Sequence, residues 1–360
     1  MTERKYLTAL YSFKQFGPVR TNLLIKYFGS AKNAWKAKTI ELISIGLKKS
    51  VVSEFDVYRS KFDIQKYFRE LEDLSIKVIT KQDKKYPVNL LDLEDAPAVL
   101  YVRGTLKPED INSVAIVGTR KMTAYGREVA TMLANELAGY GITIVSGLAF
   151  GIDVAAHKAA IDATGTCIAV LASGLDRVTP ASNIYLAKAI VESGGAIVSE
   201  SPLRAEVWRG SFPLRNRIIS GLARAVVVVE GAKKSGTLLT ASAAAEQGRQ
   251  VFAVPGQITS PLSAAPHFLI KAGAKMVTNA SDILEELDMQ LKVDRQAVEK
   301  VIPSGKDEDK IIEILTNEPL HLDELARITQ LAVHEISARL TGMELKGLIK
   351  NVGKGMYKKI

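Results

Sequence analysis

Cysteine is nearly absent: Cys167 is the single one in 360 residues. One thiol excludes an internal disulfide framework and any multi-cysteine metal site, and it fits a reducing cytoplasm, the expected location. The opening residues, Met1-Thr2-Glu3-Arg4-Lys5-Tyr6, lack the apolar core of a secretory signal. No apolar run approaches the roughly 20 residues of a membrane-spanning helix, so no membrane association is expected. Histidine is scarce as well, with His157, His267, His321 and His334 scattered along the chain. None stands in a carboxylate cluster with metal-ligand spacing. No Gly-x-Ser-x-Gly elbow is present, and His157 follows Asp153 by four residues on one helix face. The pair therefore reads as a helix-start carboxylate and a packing histidine. Cys167 lies within the apolar run Thr166 to Ala172 and reads as an inert core residue. Together these absences point away from an enzyme, a metal and a cofactor.

What is present is an ordinary globular composition, 47% apolar and 24% charged, in a length that fits two or three domains. The net charge of +9 is unevenly placed. Residues 1–85 hold 18 Lys/Arg against 9 Asp/Glu, which accounts for the whole excess. Residues 86–300 balance at 21 against 21, and residues 301–360 at 9 against 9. Inside the balanced middle, residues 204–234 carry Arg204, Arg209, Arg215, Arg217, Arg224, Lys233 and Lys234 against only Glu206 and Glu230. A local patch of this kind binds an anion even where the domain as a whole is neutral.

Glycines punctuate the first 75 residues into short helices: Lys5 to Phe16, Pro18 to Phe28, Ala31 to Ala37, Thr39 to Ile45, and Val51 to Leu74. The Phe16-Gly17-Pro18-Val19-Arg20 turn resembles helix-hairpin-helix or SAM-like modules, so residues 1–75 read as a SAM-like helical domain. Such a domain either holds a backbone phosphate on helix N-termini or serves for docking. From Ser113 to about Leu287 the pattern is strand, glycine turn, helix, repeated. The strands fall at Val114–Val117, Thr143–Ser146, Cys167–Leu171, Ala196–Ser199, Val226–Val229, Val251–Val254 and Lys275–Val277. This alternation predicts an α/β fold, an extended Rossmann-like doubly wound sheet over residues 76–290, with its ligand beyond the carboxyl ends of the strands. After a polar stretch, Asp288 to Asp309, three amphipathic segments (Lys310–Asn317, Leu322–Thr329, Val333–Lys346) and a hairpin from Leu348 to Tyr357 predict a winged helix over residues 305–360. Its tail is basic, with Lys346, Lys350, Lys354, Lys358 and Lys359 against Glu344, and either duplex DNA or protein fits as its partner.

The run Ser211 to Leu222, followed by the apolar Ala225-Val226-Val227-Val228-Val229, predicts a helix leading into a strand buried on both faces. Two guanidiniums cannot be buried unpaired. Arg215 and Arg217 should therefore face a ligand, an acidic partner or water, and a phosphate-bearing ligand is the expectation. Trp208 and Phe212 interleave with Arg209, Arg215 and Arg217. Rings beside arginines suit single strands, whose bases are free to stack at roughly 1–3 kcal/mol each. In Val117-Gly118-Thr119-Arg120 the glycine lets backbone amides approach an anion, and Arg120 adds a charge-assisted donor. This is not G-x-G-x-x-G, and no acidic residue closes the second strand, which argues against a dinucleotide. Lys234-Ser235-Gly236-Thr237 has the end of a Walker loop without its upstream pattern. What is left is amides, hydroxyls and a lysine aimed at phosphate, or simply a helix cap.

These segments occur in order: Val-Gly-Thr-Arg (117–120), Tyr125-Gly126-Arg127, Ser-Gly-Leu-Ala-Phe-Gly-Ile-Asp with Ala156-His157 (146–157), Phe-Pro-Leu-Arg-Asn-Arg-Ile-Ile (212–219), Lys-Ser-Gly-Thr (234–237) and Gly-Arg-Gln-Val-Phe-Ala-Val-Pro-Gly (248–256). Together, over roughly residues 110–290, they resemble the DNA-processing protein A family (DprA, also called Smf). The resemblance implies an extended Rossmann fold that binds single-stranded DNA without sequence preference, forms a homodimer, protects the incoming strand and loads RecA onto it during natural transformation. It implies no chemistry of the protein's own. Carried onto matching positions, the strand-binding pocket comprises Gly118, Thr119, Arg120, Ser146, Gly147, Arg209, Phe212, Arg215, Asn216, Arg217, Lys234, Ser235 and Gly236. Two departures stand out. Thr179-Pro180 replaces the family's Tyr-Pro, and Ser260 to Phe268 replaces a Ser-x-Gly-x-Asn-like turn at the pocket rim. Two other classes are carried alongside. One is a nucleotide-acting enzyme of a related Rossmann fold, although its Pro-Gly-Gly-x-Gly-Thr loop is missing. The other is a transcription regulator whose winged helix reads duplex DNA.

Overall fold

The computed structural model describes residues 1–91, 93–287, 306–315, 320–329, 331–345, 348–353 and 355–359. The chain divides into two compact units, Met1–Lys292 and Val293–Ile360. Most of the polar stretch expected at 288–309, and Lys346 and Lys354 of the basic tail, lie outside the described residues.

The first unit begins with six helices: α1 (Glu3–Tyr11), α2 (Pro18–Phe28), α3 (Ala31–Lys36), α4 (Thr39–Ser44), α5 (Lys49–Lys61) and α6 (Ile64–Asp73). Their common core is aromatic. Phe13, Phe16, Trp35, Phe55 and Tyr58 meet in edge-on, tilted and stacked pairs at centroid distances of 4.8–6.5 Å, geometries that aromatic rings favour. The single helix expected over Val51–Leu74 is two. Asp63 interrupts it with extended backbone and accepts the Gln65 and Lys66 N–H groups, an N-cap that starts a new helix.

A nine-stranded sheet follows: β1 (Ile76–Thr80), β2 (Val99–Gly104), β3 (Ser113–Val117), β4 (Thr143–Ser146), β5 (Cys167–Leu171), β6 (Ala196–Ser199), β7 (Ala225–Val228), β8 (Gln250–Ala253) and β9 (Lys275–Met276). Its order is β1-β2-β6-β5-β4-β3-β7-β8-β9. The strands from β3 onward pair in parallel, while β2 joins β6, and β1 joins β2, in antiparallel fashion. After the short α7 (Val88–Leu91), helices α8 (Ala124–Gly139), α9 (Ile152–Asp162) and α10 (Ile184–Glu192) cover one face, and α11 (Ser211–Leu222) and α12 (Thr237–Glu246) the other. The strands are apolar on both faces because both are covered. Ile116, Ile144 and Val227 pack with α8 and α9, whereas Ala115, Val145 and Val226 pack with Ile218, Ile219 and Ala244 of α11 and α12. The strand order turns about β3 and β7, so this is the topological switch point of a doubly wound sheet.

Within the second unit, helices Lys306–Ile314, Leu322–Thr329 and Val333–Leu345 enclose Ile311, Leu325, Ile336, Leu340 and Ile349. A three-stranded sheet of β10 (Leu320–His321), β12 (Met356–Lys359) and β11 (Ile349–Gly353) completes the winged-helix arrangement.

Candidate nucleic-acid interface

Three strand ends and one helix start converge on a cavity of about 90 Å³ whose walls include Arg120, Gly147, Phe150, Pro180, Phe212 and Arg215. Arg120 follows β3, Gly147 and Phe150 follow β4, Pro180 follows β5, and the other two stand on α11. The exposed Arg120 guanidinium carbon lies 4.8 Å from the centroid of the Phe212 ring, a cation–π pair at the mouth. Phe150 adds a second ring, 50% exposed.

Beneath them Arg215 is buried, and it donates to the carbonyls of Val170 (2.7 Å) and Gly147. Gly147 is required here, because a Cβ at that position would overlap the guanidinium. Asp153, at the start of α9, supplies the buried counter-charge. Its Oδ2 also accepts the N–H groups of Gly147 (3.1 Å) and Ala149 (3.2 Å), tying the loop down. Burial lowers Arg215 below the ordinary arginine value; Asp153 opposes that shift and Arg120 reinforces it. Burial likewise raises the Asp153 carboxyl, against the pull of Arg215. The site is thus a rigid floor of positive charge under a ring, with a second, exposed guanidinium above it.

Arg217 departs from the expectation of a ligand-facing group. It is buried on the other side of α11 and bonded to the Glu200 carboxylate and the Asp95 carbonyl, with its Nε 3.4 Å from Asp95 Oδ2. Glu200 also accepts the Tyr11 hydroxyl, so this ion pair joins α11 to α1. A buried charge had to be paired, and an internal carboxylate pairs it. Ser146 departs as well: its buried hydroxyl donates to the Ile116 carbonyl at 2.7 Å. Gly118 makes room for the Ile152 side chain rather than for an anion. Thr119 donates its N–H to the Glu230 carbonyl at 2.8 Å, within the turn after β3.

The residues after β7 gather elsewhere. The Ser235 hydroxyl accepts from Thr237 N and Oγ1 in the turn before α12, and Asn216 Nδ2 donates to the Gly236 carbonyl at 3.4 Å. Lys234 and Arg209 are exposed, and neither lines the cavity. At the switch point the buried Glu230 carboxylate accepts from Thr123 N (3.0 Å) and Oγ1 (2.6 Å) at the start of α8. The helix end that holds a phosphate in many sheets of this kind is filled by the chain's own carboxylate. Sequence reasoning assigned no role to Phe150 and took Asp153 only as a helix start, although both stand inside a quoted motif. The divergent stretch is ordered, with Gly231 N donating to Leu262 O (2.7 Å) and Ala265 N to Gly231 O (2.8 Å). Thr179, the other departure, lies on the cavity wall.

Comparisons with known proteins agree with this geometry. The family model described as DNA recombination-mediator protein A matches residues 77–288, and one described as DprA winged helix domain matches residues 296–354. The chain is 42% identical to Protein Smf of Escherichia coli (strain K12) over 79% of this chain and 78% of that one. It is 40% identical to the DNA processing protein DprA of Bacillus subtilis (strain 168) over 70% and 88%. The crystal structure of DprA from Streptococcus pneumoniae superposes with a TM-score of 0.66 at 32% identity, covering 79% of this chain and 98% of that one. A DNA processing protein A structure from Helicobacter pylori, described for its single-stranded DNA binding mode, gives 0.52 at 28% identity over 59% and 95%. With motif order, sheet topology and both family models in agreement, the chain belongs to the DNA recombination-mediator protein A (DprA/Smf) family.

Proposed function

We propose that the chain is a DNA-processing protein of transformation that binds single-stranded DNA without sequence preference and hands it to RecA, performing no chemistry on the strand. The observation that carries this reading is the Arg120–Phe212 pair set over Arg215 at the strand ends. A ring offers a π-face that any base satisfies, while guanidiniums answer the phosphates, so affinity follows the backbone rather than the sequence. Arg120, Phe212, Arg215 and Gly147 form the pocket itself. Arg209 and Lys234 serve as flanking cations, and Gly118, Thr119, Ser146, Asn216, Arg217, Ser235 and Gly236 hold the scaffold. Among the described residues no helix is long and apolar enough to cross a membrane, and we place the protein in the cytoplasm. Exposed Leu239, Phe268 and Met276 near the β8–β9 end of the sheet support self-association as a homodimer.

The test is a gel shift of the full chain with single-stranded and duplex DNA of mixed sequence at two salt concentrations. Preference for the single strand, with log affinity falling against log salt by about 0.7 per phosphate contact, is expected. Arg120→Ala and Phe212→Ala should each weaken binding about tenfold for every sequence; unchanged affinity in both would retire the pocket.

A further inference from the structure

Trp208 is 64% exposed, although exposed indoles are uncommon outside binding surfaces. Its backbone is fixed: Trp208 N donates to Ser211 Oγ at 3.2 Å, and Ser211 N to Trp208 O at 2.9 Å, at the start of α11. The ring lies against Gly210, where a Cβ would overlap its six-membered edge, so one side of the indole is seated on backbone while much of the ring stays open to solvent. The ring borders a groove of about 670 Å³ between the α1–α2 turn and the segment running from β6 into α11, lined also by Lys14, Gly17, Leu214 and Arg215. Arg215 and Ala172 line both this groove and the cavity under Phe212, so the two adjoin at these side chains. Of the carboxylates on the groove, Glu200 is committed to Arg217 and Tyr11. Glu206 stands on the rim with exposed Lys14 and with Arg204, which is also paired with Glu70.

We infer that Trp208 is a second stacking platform, and that the strand leaving the Arg120–Phe212 pocket runs past Arg215 into this groove, its phosphates meeting Lys14 of the N-terminal helices. The inference rests on the single-strand reading above and adds the direction of the strand and a role for the basic N-terminal region. The position suits it: Trp208 lies four residues before Phe212, in the segment that leads into α11, and backbone and side-chain bonds to Ser211 hold it at the helix start.

Tryptophan emission reads this directly, because the chain holds two tryptophans and the other, Trp35, is buried. The full chain is titrated with oligothymidylates of about 4 to about 24 nucleotides, with binding followed separately by anisotropy of a labelled strand. Short strands should bind without quenching, and longer ones should quench an emission that Trp208→Ala abolishes and Trp35→Phe preserves. Trp208→Ala should cost about tenfold in affinity for long strands and little for short ones, with Trp208→Phe restoring most of it. Lys14→Gln should lower the salt slope by about 0.7 for long strands alone. Normal binding with no quenching at any length, or equal loss for short and long strands in Trp208→Ala, overturns the second platform while leaving the pocket intact. No binding of any strand by the unaltered chain overturns the single-strand reading itself.

Discussion

Two arginines two residues apart on α11 do different work. Arg215 sits under the pocket, while Arg217 closes an ion pair with Glu200 whose side chains are only 10% and 16% exposed. Removing Arg217 strands the Glu200 carboxylate. Arg217→Ala should therefore lower stability by about 3–5 kcal/mol in urea titrations, with strand affinity of the remaining folded protein changed far less. The sequence made both arginines conspicuous and required each to be paired. It did not show which pairing was internal, because Glu200 and Asp95 reach Arg217 only through the fold. His157 yields a second residue-scale prediction. It is fully buried, and burial depresses its pKa to about 3, against the pull of the Ser146 backbone. The unfolded chain, near 6.5, takes up the proton first, so stability is intact above that pH and declines as pH falls toward 3. His157→Leu lacks this slope. Between pH 7 and pH 5 the wild type should lose about 2 kcal/mol relative to that variant; parallel stability curves would refute the assignment.

At the scale of elements, the loop from Ser146 to Gly151 is the part most dependent on a single side chain. Asp153 accepts two of its N–H groups and balances Arg215. Asp153→Ala should destabilise the protein by about 3 kcal/mol, deprotect the Gly147 and Ala149 amides in hydrogen exchange, and weaken strand binding because Phe150 and Gly147 lose their anchor. Protection unchanged at both amides would contradict this. The strands were legible because β-branched runs ending at glycine turns leave few alternatives, and Val114–Val117 and Cys167–Leu171 differ from the structure by at most one residue. The helix break at Asp63 was less visible, since the cap interrupts an otherwise continuous amphipathic pattern.

For the molecule as a whole, the class of fold followed from alternation, but the placement of β1 and β2 did not. Their antiparallel attachment to β6 depends on pairing between segments nearly a hundred residues apart, such as Tyr101 with Ser199, for which local pattern carries no signal. The Arg120–Phe212 pair is equally remote in sequence. The two units have separate cores. Deleting residues 293–360 should accordingly leave a cooperatively melting protein whose affinity for short single strands is within about threefold of the full chain. Loss of all DNA binding on that deletion would move the interface to the winged helix.

Glu230 at the start of α8 has a bearing on what the protein ignores. A mononucleotide gains its hold on such sheets by lodging a phosphate at that helix end, and here the seat is taken by a carboxylate bonded to Thr123. Free ATP or a deoxynucleoside triphosphate is left with a cavity of about 90 Å³, its two rings and mutual repulsion from the resident anion. A polymer accumulates its small gains along many linked units. The monomer pool, however concentrated, is thereby a poor competitor for a scarce chain.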